Sequence, residues 1–255
     1  MTMCILFVAK NVHPDYPLII AANRDEYFQR PTRPPMWWPE APHIFAGKDL
    51  QAGGTWMGYN TQQQVAAITN VRRLDLQQDQ AKSRGEWVPE FLSLPSCDST
   101  SMLTDFTKRL KQESHLYNPF NLLYGNTERL MVFNSVSQHS TALEDGVHSI
   151  SNGMLDDSWP KMQQGIEALH HYIAASELVR PNELFELLMN DQPAPDDKLP
   201  NTGVSLRYEK ILSSIFIPPS TLNGALYGTR SSSVLLYKTG QTQSMEMLSQ
   251  QYHGP

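Results

Sequence analysis

Apolar residues fall into short runs and two distinct periods along this chain. Cys4-Ile5-Leu6-Phe7-Val8-Ala9 is an unbroken apolar run of strand length. Leu18-Ile19-Ile20-Ala21-Ala22 is a second, after the turn-forming stretch Asn11 to Pro17. Gly53-Gly54-Thr55-Trp56-Met57-Gly58 and Gln64-Val65-Ala66-Ala67-Ile68-Thr69 predict a hairpin joined at Tyr59-Asn60-Thr61. Between these pairs, residues 31–42 hold five prolines and the pair Trp37-Trp38, which excludes a helix or a central strand and predicts an irregular surface excursion. The middle is helical: Trp87, Phe91 and Leu94 recur at i, i+4, i+7, and Met102 or Leu103, Phe106 and Leu110 repeat that spacing.

Strands are then predicted at Asn121 to Tyr124, Leu130 to Phe133 and Val147 to Ser151. Trp159, Met162, Ile166, Leu169 and Ile173 predict a long helix, with Asp157 or Ser158 as its cap and Pro160 in its first turn. A helix over Asn182 to Met189 and a polar loop to Thr202 follow. The chain ends in predicted strands at Ile211 to Ile217, Ser232 to Tyr237 and Gln243 to Leu248. Without a break in composition, this order predicts one α+β domain over residues 1–255, with antiparallel sheets and helices on the outer faces.

Composition removes several function classes. The 255 residues carry 20 Lys+Arg against 26 Asp+Glu, a net charge of -6, which argues against a nucleic-acid binder that relies on a basic face. Two cysteines are too few for a disulfide scaffold or a Cys-rich zinc site. No segment reaches the roughly 18 apolar residues of a membrane span. The first apolar run has no basic residue before it and meets Lys10, Asn11 and His13, so it reads as a strand and not a secretion signal, and a cytoplasmic location is expected. No Walker loop, G-x-G-x-x-G or H-E-x-x-H occurs, so neither a cofactor nor a metal is expected.

Chemistry concentrates at Cys4. Met3 directly precedes it and can serve as the initiator, with Met1 and Thr2 as an upstream start. Trimming of Met3 leaves a thiol of pKa near 8.5 beside an α-amine of pKa near 8 that can act as its base. Thr2 is a weaker candidate terminal nucleophile, and Cys97, among Ser, Pro and Asp, is expected to have no role. Asn23-Arg24-Asp25-Glu26 follows the second apolar run. Antiparallel pairing of the first two strands brings it to Cys4, where a carboxylate can hold the amine and a guanidinium can keep the thiol ionised. Gly53 to Trp56 reads as a tight bend with a packed Trp, and Trp37 as a packed residue or a pocket rim. Asn23, Trp56 and Trp37 are the candidates for substrate contact.

Met3-Cys4-Ile5-Leu6-Phe7, Leu18 to Glu26 with Arg30-Pro31 following, and Gly53 to Gly58 resemble the NRDE family, also known as the Transport and Golgi organization protein 2 family. Ala66 to Asn70, Ser83-Arg84-Gly85-Glu86, Tyr117 to Leu122, Ser151-Asn152 and Gly228-Thr229-Arg230 extend the resemblance over essentially the whole chain. It implies an N-terminal-nucleophile hydrolase-like four-layer αββα sandwich. A more distant resemblance links the chain to choloylglycine and penicillin V acylases. Their pattern implies Cys4 as nucleophile, Asp25 as the amine's partner, Asn70 as oxyanion donor, Asn152 as the second Asn and Arg230 as the late Arg. The acylase Arg three places before the Asp is Ala22 here, and Arg24 is the substitute charge. The expected activity is hydrolysis of a non-peptide amide bond in a small or amphipathic substrate. The alternative implied by the resemblance is a non-catalytic carrier of haem or lipid in trafficking, for which His13 is the weak candidate ligand.

Overall fold

The computed structural model describes residues 3–96, 100–240 and 243–254; Met1, Thr2 and Cys97 lie outside the described residues. In chain order the first strands are β1 (Met3–Lys10), β2 (Leu18–Tyr27), β3 (Thr32–Trp38), β4 (Ala41–Asp49), β5 (Met57–Asn60) and β6 (Val65–Asn70). Helices α1 (Trp87–Leu92) and α2 (Thr100–Glu113) precede β7 (Phe120–Gly125), β8 (Leu130–Asn134), β9 (His139–Ala142) and β10 (Gly146–Ile150). Then come α3 (Pro160–Ala175), α4 (Pro181–Leu188), α5 (Leu206–Ile211), β11 (Ser220–Leu222), β12 (Ala225–Lys238) and β13 (Ser244–Gln251). Among the described residues, no helix is long and apolar enough to cross a membrane. The chain forms two compact units: one runs to Gln29 and resumes at Asp145, and the other is Arg30–Glu144.

The first unit is a six-stranded antiparallel sheet in the order β10-β1-β2-β12-β11, with β13 also on β12. Side chains alternate along β1 and β2, so Ile5, Phe7, Ala9, Ile19 and Ala21 share one face. That face is apolar because it packs on Met162, Leu169 and Ile173 of α3 and on Leu184, Phe185 and Leu188 of α4. Gly165 of α3 is required there: a Cβ on it would lie 2.0 Å from the Phe7 ring. The opposite face carries Leu6, Val8, Ile20 and Ala22, also buried.

The second unit is a seven-stranded antiparallel sheet in the order β3-β4-β5-β6-β7-β8-β9. Trp87, Phe91, Leu103, Phe106 and Leu110 from α1 and α2 pack on Ala66, Ile68, Leu122 and Tyr124, which alternate onto one face of β6 and β7. The turn before β5 is fixed by backbone contact. Thr55 N donates to Gly85 O (3.1 Å), and a Cβ on Gly54 would lie 2.4 Å from Gly85 O. Two of the glycine motifs therefore meet each other, and their glycines permit a close approach of two backbones. Gly54→Ala is expected to destabilise the protein by about 2 kcal/mol, because overpacking against fixed backbone outweighs the few tenths gained from a stiffer unfolded chain. A thermal melt lowered by about 5 °C is the readout.

Three expectations need correction. Residues 31–42 are not irregular throughout: Thr32–Trp38 is β3 and Ala41–Asp49 is β4. The prolines fit because β3 is an edge strand with one hydrogen-bonding side unused, and its register slips at Arg33/Met36 and Trp37/Trp38. The span 211–217 is no strand. Its start belongs to α5, and the backbone after it is tied elsewhere, Phe216 N to Asn190 O (2.8 Å) and Ile217 N to Thr229 Oγ1 (2.8 Å). Neither Asp157 nor Ser158 caps α3; Trp159 holds that position without a side-chain bond, and Asp157 Oδ2 accepts from Met154 N instead (2.7 Å).

Candidate active site

β2 is longer than its apolar run implies. Asn23, Arg24, Asp25 and Glu26 lie inside the strand and are buried, at 0%, 7%, 1% and 1% exposure. They stay extended because both neighbours satisfy their backbones: Cys4 pairs with Arg24 and Met3 with Asp25 on one side, and Ser231 with Arg24 and Thr229 with Asp25 on the other. Arg230 is the extra residue of a β-bulge between Thr229 and Ser231, a device that re-aims one side chain out of the ladder. Its Nη1 donates to Phe28 O, its Cζ stands 5.1 Å over the Phe28 ring, and its Nε is buried without a partner among the described residues.

Alternation sorts this cluster onto two faces. Cys4 and Arg24 are cross-strand partners and share the face of Leu6 and Ala22. Ala22 pairs with Leu6, two residues away, so Arg24 projects from the face of the missing arginine and stands directly opposite Cys4. Burial drives the Cys4 thiol up to about 12; the Asp25 charge adds to this, while Arg24 and the Asp25 backbone N–H on the sulfur oppose it. With Met3 attached, the thiol is therefore neutral at physiological pH.

Asp25 projects from the other face, toward the helices. Its Oδ1 accepts from Thr229 Oγ1 (2.7 Å), and its Oδ2 is buried without a hydrogen-bond partner among the described residues. Burial raises its pKa to about 7, against the opposing pull of Lys161, the Thr229 hydroxyl and Arg24. Met3, its cross-strand partner, is 1% exposed and sits among Leu212, Ile217, Leu222 and Tyr227.

Asn152 lies two residues beyond the end of β10, whose Ile150 pairs with Leu6, and it is 1% exposed. The Ser151 hydroxyl reaches both the Cys4 carbonyl (3.1 Å) and Asn152 Oδ1 (3.2 Å), which fixes the Asn152 amide beside β1. Cys4, Arg24, Asp25, Asn152 and Arg230 thus gather at one end of the first unit's sheet. Asn23 is on that strand, but its amide is engaged by the fold: Nδ2 donates to Leu188 O (2.8 Å) and Ile215 O (2.9 Å), and Oδ1 accepts from Ser232 Oγ (2.6 Å).

Asn70, Trp56 and Trp37 belong to the second unit. Asn70 closes β6 opposite Phe120, and Trp56 packs against the α1/α2 core. Trp37 is 43% exposed and meets Phe45 and Tyr59 edge-on. His13 does not suit a haem iron: Nδ1 accepts from Asp15 N (3.2 Å) and Nε2 faces Ser176 O (3.2 Å), so both ring nitrogens are engaged. Glu26, within the predicted cluster, stands 3.5 Å from Arg24. Two residues escaped the sequence reading: Thr229, although it lies in a motif, and Lys161, in the first turn of a helix, which gave no signal.

Residues 3–253 match the family model described as Transport and Golgi organisation 2. Human Transport and Golgi organization protein 2 homolog is 32% identical over 255 residues, covering 92% of this chain and 88% of its own. The mouse homolog is 30% identical over 252 residues, with the same coverage. Among solved structures, a mutant conjugated bile acid hydrolase from Clostridium perfringens aligns with a TM-score of 0.50. That likeness covers 99% of this chain and 97% of the other at 9% identity. The fold is therefore the N-terminal-nucleophile hydrolase type, α+β with antiparallel sheets, as the resemblance implied.

Proposed function

This chain belongs to the Transport and Golgi organisation 2 family, and from that premise we propose that it is an N-terminal cysteine hydrolase of a non-peptide amide bond in a small or amphipathic substrate. The observation that carries the reading is the Asp25 carboxylate. Burying a carboxylate with one oxygen unpaired is costly, and Asp25, whose Oδ2 has no partner among the described residues, is the cross-strand neighbour of Met3. Loss of Met3 creates an α-amine at that place and supplies the missing donor.

The chemistry then follows from the groups around Cys4. The amine takes the thiol proton, and Sγ attacks the substrate carbonyl to form a tetrahedral oxyanion. Asn152, in the same unit as Cys4, is a donor to that oxygen. Arg24, opposite the sulfur, favours the thiolate. The C–N bond breaks as the Cys4 ammonium returns its proton to the leaving nitrogen, and water attacks the thioester to release the acid and regenerate the thiol. Arg230 is the late Arg of the family pattern, held at this end of the sheet by the Tyr27 and Phe28 carbonyls.

Intact-mass measurement of protein made from its own gene is expected to show a chain beginning at Cys4. Incubation with a panel of aliphatic and aromatic amides should then add an acyl mass to Cys4. A chain that keeps Met3, or no adduct with any member of the panel, overturns the hydrolase reading in favour of a carrier.

A further inference from the structure

One charge beside Asp25 has no part in the steps above. Lys161 is 2% exposed, and its Nζ donates to Leu212 O (3.1 Å). Leu212 belongs to the apolar cluster around Met3, so the ammonium is anchored at the wall of the Met3 pocket, on the face from which Asp25 projects.

That position bears on the base. An α-amine freed beside a lone carboxylate is held as an ammonium, because an opposite charge favours the charged form. An ammonium cannot accept the thiol proton. A second cation near the carboxylate offsets this field and lets the amine stay neutral closer to physiological pH.

We propose that Lys161 is a positioning residue that balances the Asp25 carboxylate from the helix side, so that the Cys4 amine docks on Asp25 as a neutral base. This inference rests on the hydrolase reading for the free amine. The effect of Lys161 on Asp25, which works against burial, agrees with it. The other charged groups are directed elsewhere. Arg24 projects from the opposite face and pairs with Glu26, and Arg230 is turned to the Tyr27 and Phe28 carbonyls. On α5, Glu209 accepts from Thr202, Lys210 pairs with Asp196, and Arg207 is exposed. The other titratable groups around it are the Cys4 thiol on β1 and the phenols of Tyr27 on β2, Tyr208 on α5 and Tyr227 on β12.

The test uses chains shown by intact mass to begin at Cys4, with the amine's protonation read by competitive labelling with acetic anhydride across pH 5–10. Lys161→Gln keeps a donor for Leu212 O without the charge. It should raise the amine's midpoint by about one pH unit, a tenfold slower labelling below it, and Lys161→Arg should restore the wild-type midpoint. Lys161→Met, checked for folding by its thermal melt, should match Lys161→Gln. An unchanged midpoint in either folded neutral variant overturns the assignment even if the wild type hydrolyses amides. A shifted midpoint in chains that acylate nothing sustains Lys161 and removes the hydrolase reading.

Discussion

Cys4→Ala, in chains that begin at residue 4, is expected to lower amide hydrolysis by about 10⁴-fold or more, because it removes the atom that bonds to the substrate. The informative companion is wild-type protein in which Met3 is retained. Its thiol is pushed up to about 12 by burial, so it is overwhelmingly the neutral thiol at pH 7. Its Cys4 nitrogen is an amide and accepts no proton. The Met3-retaining chain should therefore be as inactive as Cys4→Ala, although its thiol is present and its fold unchanged. Single-turnover acylation followed by mass spectrometry checks both. Turnover by the Met3-retaining form at a rate near that of the processed form would show that the terminal amine is not the base.

Much of this site was legible in the sequence because its parts lie within short motifs on paired strands. Cys4 and Asn23-Arg24-Asp25-Glu26 needed antiparallel pairing alone to come together, and the register provides it. Strand alternation, applied to the same residues, puts Arg24 on the face of Ala22, where the acylase pattern has its arginine. Other features depend on contacts remote in sequence. Lys161 reads as an ordinary helix lysine until Leu212 and the Met3 pocket close over it. The strand predicted over Ile211 to Ile217 failed because its apolar residues fill a core from a linker, where periodicity carries no backbone information. Prolines misled at Thr32–Trp38 because an edge strand tolerates what a central strand cannot.

Asp25→Asn should change stability with opposite signs in the two forms of the chain. In the Met3-retaining form, burial raises the carboxyl to about 7 from an ordinary 3.8. Between those values the folded state holds a proton that the unfolded state has released, so stability falls as pH rises through the window. At pH 8 the folded state carries a buried charge with one oxygen unpaired, at a cost of order 2–4 kcal/mol. Asparagine is neutral and keeps an acceptor for Thr229 Oγ1, so the variant should gain little near pH 4 and about 2–4 kcal/mol at pH 8 in urea unfolding. In chains beginning at Cys4, the amine supplies the donor that Oδ2 lacks, and the same substitution removes a charged hydrogen bond and should destabilise by about 1–3 kcal/mol. A gap between variant and wild type that is independent of pH, or of the same sign in both forms, would mean that the amine does not dock on Asp25. Opposite signs in the two forms would make the stability that the Met3-retaining protein forgoes at neutral pH the mark of a carboxylate placed for a terminal amine.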